Sequence, residues 1–236
     1  MTEEKEIKIR VLDEVNINEL KQLLENIFKI KFDNGKKDED VYYDLKDNFY
    51  FNLNHGLRIR NKKEIAYKAL FYIPERTINP WFVLEKEYQL PISKKLLLDL
   101  FSVAGIEYTS NLDDDITIKD LKNIFHELNL SEHIKINKVR YKGKNDKYEI
   151  CIDLVEDLGL FVEIEATNDN LLNYFRENIT FNYKEIRHGY TNLYAKEVLN
   201  IDIPNFKERF LNNSNWNFLN KQKEIVKNIL KENQMK

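Results

Sequence analysis

The chain has 236 residues, enough for one sizeable domain or a domain with an appendage and long enough to bury a real core. Its 37 basic and 40 acidic side chains leave a net charge of -3, so no overall basic field supports a nucleic-acid-binding role. No apolar run approaches the roughly 20 residues of a membrane span, the charged N-terminus has no signal-peptide core, and the single cysteine, Cys151, excludes an internal disulfide, so a cytoplasmic protein is expected.

The first strand is predicted over 3–12, where a period of two puts Glu4, Glu6, Lys8 and Arg10 on one face and Ile7 and Ile9 on the other. Asn16 is a candidate cap for a helix over 17–28. Strands over 49–54, 57–63, 64–73 and 81–90 follow, with Asn54-His55-Gly56 as a turn signal. In these, Leu57-Arg58-Ile59-Arg60 alternates apolar and basic, Ala66-Tyr67-Lys68-Ala69-Leu70 carries a single Lys, and Glu85 and Glu87 form a Glu-x-Glu pair. Ser93 is a candidate cap for a helix over 94–103. Within 105–131, Asp113-Asp114-Asp115 reads as a solvated loop leading into Ile116, and 120–128 carries Leu121, Ile124, Phe125 and Leu128 at helical spacing. Three more strands are predicted over 133–143, 147–156 and 158–167. The first of these carries Lys138 and Arg140. In the last, Glu163 and Glu165 share one face and Val162 and Ile164 the other. Cys151 shares a face with Asp153 and reads as a buried, inert thiol. Residues 204–236 read as one or two helices appended to a domain over 1–203.

Each charged pair taken alone is an ordinary solvated strand face. Together, five or six strands with charge on one face suggest something else. About eight strands are enough to close a barrel, apolar outside and covered by helices, with a wet interior. There, Arg58 and Arg60 offer planar forks to phosphate oxygens and Lys8, Lys68 and Lys138 act as point charges. Carboxylates in the same interior hold a hard cation that bridges the polyanion. The chemistry expected is that of a triphosphate site in an α+β protein.

At these residues the chain resembles the CYTH, or triphosphate-tunnel, proteins, which include class IV adenylyl cyclases, thiamine triphosphatases and inorganic tripolyphosphatases. The opening Glu-x-Glu-x-Lys matches Glu4, Glu6 and Lys8. In family order follow Tyr50-Phe51 before Arg58 and Arg60, Lys68 before Pro74, Glu85 and Glu87, Lys138 and Arg140, and the Asp153, Leu158-Gly159, Glu163 and Glu165 hairpin. His188-Gly189-Tyr190-Thr191-Asn192-Leu193 resembles the family's Ser-Tyr-x-x-Leu-Leu element. The likeness spans about residues 3 to 199, and it is the ordered set that carries it.

The resemblance implies a closed eight-stranded antiparallel barrel with surrounding helices. It implies Lys8, Arg58, Arg60, Lys68, Lys138 and Arg140 on the phosphate chain; Glu4, Glu6, Asp153, Glu163 and Glu165 on Mg²⁺ or Mn²⁺; and Glu85 and Glu87 orienting the basic groups or a second metal. Val83 departs from the family's frequent Arg two residues before the central Glu-x-Glu, with Arg76 as a substitute. Hydrolysis of an organic or inorganic triphosphate is the expected reaction; conversion of ATP to cyclic AMP and pyrophosphate is the alternative, and a non-catalytic triphosphate or polyphosphate sensor a further one. The implied partner is a triphosphate-containing small molecule, with neither nucleic acid nor membrane favoured and a homodimer left open.

Overall fold

The computed structural model describes residues 5–72, 81–186, 188–201, 222 and 224. The fold is α+β, with a nine-stranded antiparallel sheet in the order β5-β4-β3-β2-β6-β7-β8-β1-β9. The strands are β1 (Lys5–Val11), β2 (Lys36–Asp44), β3 (His55–Arg60), β4 (Glu64–Tyr72), β5 (Trp81–Gln89), β6 (Ser131–Lys144), β7 (Tyr148–Val155), β8 (Gly159–Ala166) and β9 (Tyr183–Glu185). The helices are α1 (Ile17–Phe28), α2 (Phe49–Asn52), α3 (Lys94–Ala104), α4 (Ile118–Glu127), α5 (Asp169–Asn178) and α6 (Tyr190–Glu197). The strand order is open among the described residues, in place of the closed ring of eight that was expected. The chain divides into two compact units, Met1–Glu39 with Ile136–Ile203, and Asp40–Lys135 with Pro204–Lys236. The expected appendage over 204–236 lies outside the described residues apart from Gln222 and Glu224.

In the first unit the period of two sorts the strands as the sequence predicts. Ile7, Ile9, Ile150, Ile152, Val162 and Ile164 are buried on one face of β1, β7 and β8. Helices α1 and α5 cover that face with Leu20, Leu24, Phe28, Leu172 and Phe175, and the Phe28 and Phe175 rings stack at 5.5 Å. Asn16 caps α1 by accepting from the Asn18 N–H at 2.8 Å, and Asn168 caps α5 by accepting from the Leu171 N–H at 3.1 Å. The charged residues are thereby left on the opposite face of the same strands.

The second unit repeats the principle. Leu57, Ile59, Ile65, Tyr67 and Leu84 face a core closed by Leu97, Leu100 and Phe101 of α3 and Leu121, Ile124 and Phe125 of α4. Helix α4 starts at a capping box in which Thr117 and Asp120 bond reciprocally. Residues 49–54, expected as a strand, instead contain α2. The buried Asp44 carboxylate accepts the backbone N–H groups of Leu45, Tyr50 and Phe51 at 2.7–2.8 Å, satisfying the donors that a helical start leaves open. The aromatic pair Tyr50-Phe51, a strand signal in isolation, is folded inward by this cap.

Candidate functional site

The first unit carries a cluster of ionised side chains on the face away from α1 and α5. Strand register assembles it, because Lys8 pairs with Glu163 across β1 and β8, and Arg140 pairs with Asp153 across β6 and β7. Lys8 Nζ lies 3.0 Å from Glu163. The Arg140 guanidinium donates to both Asp153 oxygens, at 2.7 and 2.5 Å, and also to Glu163. Lys138 Nζ stands 3.4 Å from Asp153, and the Lys138 and Asp153 side chains are only 3% and 0% exposed. Tyr190, at the start of α6, donates its hydroxyl to Asp153 at 2.9 Å.

Burial pushes the Lys8 ammonium down, yet Glu163 and Glu6 outweigh it and hold Lys8 above its ordinary value. Burial pushes the Glu163 carboxyl up, but Lys8, Arg140 and Lys138 bring it well below the usual carboxylate range. Arg140 is likewise held as a cation, with Asp153 and Glu163 opposing the effect of burial. Lys8, Lys138 and Arg140 thus converge on Asp153 and Glu163, with Glu6 adding to the field that holds Lys8.

The second unit holds a separate cluster on β2 to β5. Arg60 donates to both Asp40 oxygens, at 2.7 and 3.1 Å. Arg58 donates to Glu85 and Glu87 at 3.4 Å each and stands 3.9 Å from Asp40 and 4.0 Å from Glu64. Lys68 pairs with Glu85 at 3.2 Å. Burial and then the neighbouring Glu87 push the Glu64 carboxyl up, against Arg60 and Arg58. Here three cations meet four acids, so the basic groups are already matched.

A hard divalent ion takes oxygen ligands, and the acids expected to supply them fall into two groups. Asp153 and Glu163 are filled by Lys8, Lys138, Arg140 and Tyr190. Glu6 and Glu165 are direct cross-strand partners, and Glu149 of β7 faces Glu165 from the other side. Glu149 is held by Lys142 and Lys144 at 2.5 and 3.2 Å. Among the described residues no three His, Cys, Asp or Glu side chains converge as a finished cation site. Glu6 and Glu165 therefore offer ligands of fitting chemistry, and Glu4 and Arg76 lie outside the described residues.

Other sequence readings fall into place. Asp113, Asp114 and Asp115 are exposed ahead of the buried Ile116, Cys151 is buried, and Val83 is 51% exposed. His188 is exposed while Tyr190 is packed. The sequence did not disclose that Asp40 and Glu64 would take up the Arg58 and Arg60 forks, because β2 itself was not foreseen.

A family model, CYTH domain, matches residues 2–187. The chain belongs to the CYTH family. This CYTH chain is 28% identical over 161 residues to a Methanocaldococcus jannaschii protein named as a candidate adenylate cyclase, MJ0240, covering 67% of this chain and 77% of that one. Among solved structures it resembles the PH1819 protein of Pyrococcus horikoshii, with a TM-score of 0.52 and 19% identity over 82% of this chain and 98% of that one. It also resembles HpAC1 of Hippeastrum, an adenylyl cyclase candidate described as having a dominant triphosphatase activity, with a TM-score of 0.51 and 15% identity over 81% and 94% of the two chains. At these identities the two structures share the CYTH chain's fold. No helix among its described residues is long and apolar enough to cross a membrane.

Proposed function

We propose that this CYTH chain is a metal-dependent triphosphatase, hydrolysing an organic or inorganic triphosphate. The observation that carries this reading is the convergence of three cations, Lys8, Lys138 and Arg140, around Asp153 and Glu163 on one strand face of the first unit. A triphosphate carries about four negative charges near neutrality and must be neutralised while one phosphorus stays open to in-line attack. Lys8 remains protonated beside Glu163 and Glu6, which makes it a phosphate ligand and not a base for water. Arg140 presents a fork that Asp153 holds in one orientation.

In the second unit, Arg58, Arg60 and Lys68 are proposed as further phosphate ligands, oriented by Glu85 and Glu87. A phosphate there displaces carboxylate partners from the forks, an exchange that makes its binding sensitive to salt. Glu6 and Glu165, with Glu4, are the residues of fitting chemistry for Mg²⁺ or Mn²⁺; Asp153 and Glu163 join them only by giving up ammonium or guanidinium partners. Bound there, such an ion supplies charge neutralisation and Lewis acidity at a phosphoryl oxygen.

Cyclisation of ATP is the second reading, favoured by the name of the Methanocaldococcus jannaschii relative. Incubation of the purified chain with ATP, thiamine triphosphate and tripolyphosphate, each with Mg²⁺ or Mn²⁺, separates the two by product. Metal-dependent orthophosphate release supports the triphosphatase; cyclic AMP with pyrophosphate decides for the cyclase. No turnover by folded protein contradicts both.

A further inference from the structure

Tyr190, in the segment that resembles the family's Ser-Tyr-x-x-Leu-Leu element and just past the matched residues 2–187, reaches the centre of the first unit's charged cluster. Its helix is tied to β1, where Arg10 donates to both Glu197 oxygens, at 2.9 and 2.8 Å. At the other end of α6 the Tyr190 ring packs edge-on against Phe161 of β8 with centroids 5.1 Å apart. Two ammonium groups stand over that ring, Lys8 Nζ at 4.5 Å and Lys138 Nζ at 5.2 Å from its centroid. The hydroxyl donates to the Asp153 oxygen that Lys138 and Arg140 also approach.

We infer that Tyr190 is a positioning residue for the proposed triphosphate chemistry, its ring holding Lys8 and Lys138 in place and its hydroxyl fixing the Asp153 carboxylate. The inference rests on the triphosphate reading above. Its physical basis is that an aromatic face attracts an ammonium through its quadrupole without neutralising it. A further carboxylate at the same place would offset positive charge that a phosphate chain requires. The ring therefore anchors two cations while leaving their charge to the substrate. The hydroxyl adds a neutral donor at Asp153, leaving a carboxylate shared by two cations satisfied without a further charge. Burial and then Glu163 and Asp153 raise the phenol well above its ordinary value, so the donor proton stays in place.

The test compares Tyr190→Phe, which keeps the ring and loses the hydroxyl, with Tyr190→Leu, which loses both. Two readouts are used: steady-state kinetics with tripolyphosphate, and nitrogen-15 NMR of the lysine ammonium groups in the full chain. Wild type and Tyr190→Phe are expected to show upfield ring-current shifts at Lys8 and Lys138, and Tyr190→Leu to lose them. Tyr190→Phe is expected to lower kcat roughly tenfold with little change in KM, and Tyr190→Leu to raise KM as well by roughly tenfold. Glu197→Gln, which loosens α6 without touching ring or hydroxyl, serves as the structural control and should leave the KM to kcat split as in wild type. Absence of the ring-current shifts in folded wild type, or kinetics of Tyr190→Phe equal to wild type, overturns the inference. Ring-current shifts without turnover of tripolyphosphate, ATP or thiamine triphosphate would instead overturn the triphosphatase reading and leave the cation-holding role of the ring standing.

Discussion

Lys8 and Glu163 are direct partners across β1 and β8, and the ammonium lies 3.0 Å from the carboxylate with both side chains largely out of water. Removing one member of such a pair leaves the other charged, buried and short of a partner. Glu163→Gln is therefore expected to destabilise the fold by about 3 kcal/mol, read as a lower urea midpoint at unchanged slope. An unchanged midpoint would show that Arg140 and solvent replace the contact fully.

The same pair sets a pH dependence. Glu163 is held below its ordinary 4.5, so the folded protein binds fewer protons there than the unfolded chain; its contribution is complete above about pH 4.5 and fades as pH falls through the lower folded value. Lys8 is held above 10.5, so its contribution is complete below that pH and fades as pH rises through the raised value. In urea midpoints measured across pH, the acid decline below about pH 4.5 should be shallower in Glu163→Gln than in wild type. Parallel acid limbs in the two proteins would remove Glu163 from the account.

Asp44 tests the fold independently of the site. Its carboxylate takes three backbone N–H groups at the entry to α2, so Asp44→Ala is expected to cost about 2 kcal/mol. Turnover per folded molecule should be unchanged. A kcat loss in excess of the unfolded fraction would tie α2 to catalysis.

Cys151 shares its strand face with Asp153 and is paired in register with Glu163, and burial first, with Asp153 and Glu163 adding to it against Arg140, pushes its thiol up to about 12. A thiol so protonated is a poor nucleophile. Iodoacetamide at neutral pH should leave native protein unlabelled and react only after denaturation; rapid native labelling, followed by mass spectrometry, would contradict this burial.

Where the sequence alternated cleanly, the fold was legible. Ile7 and Ile9 against Lys8 and Arg10, or Leu57 and Ile59 against Arg58 and Arg60, could only satisfy both solvents as half-buried strands. Strand β2 escaped notice because Lys36-Lys37-Asp38-Glu39-Asp40 has no apolar member, its place being fixed by pairing with β3. Helix α2 was read as a strand because its cap, Asp44, acts from six residues before Tyr50. In the site, the charged residues were identified by type and face, whereas their partners were not. Sharing of Asp153 among Lys138, Arg140 and Tyr190 depends on strand register and on the docking of α6, neither of which a local pattern encodes.

The Lys8, Lys138 and Arg140 cluster is expected to bind a phosphate chain. Calorimetric titration of wild type and Arg140→Ala with tripolyphosphate in a metal-free buffer, at two salt concentrations, measures this directly. Wild type is expected to bind at one site with an affinity that weakens with salt, and a folded Arg140→Ala at least roughly tenfold more weakly. Equal affinity in the two proteins, or no binding by folded wild type, would contradict it.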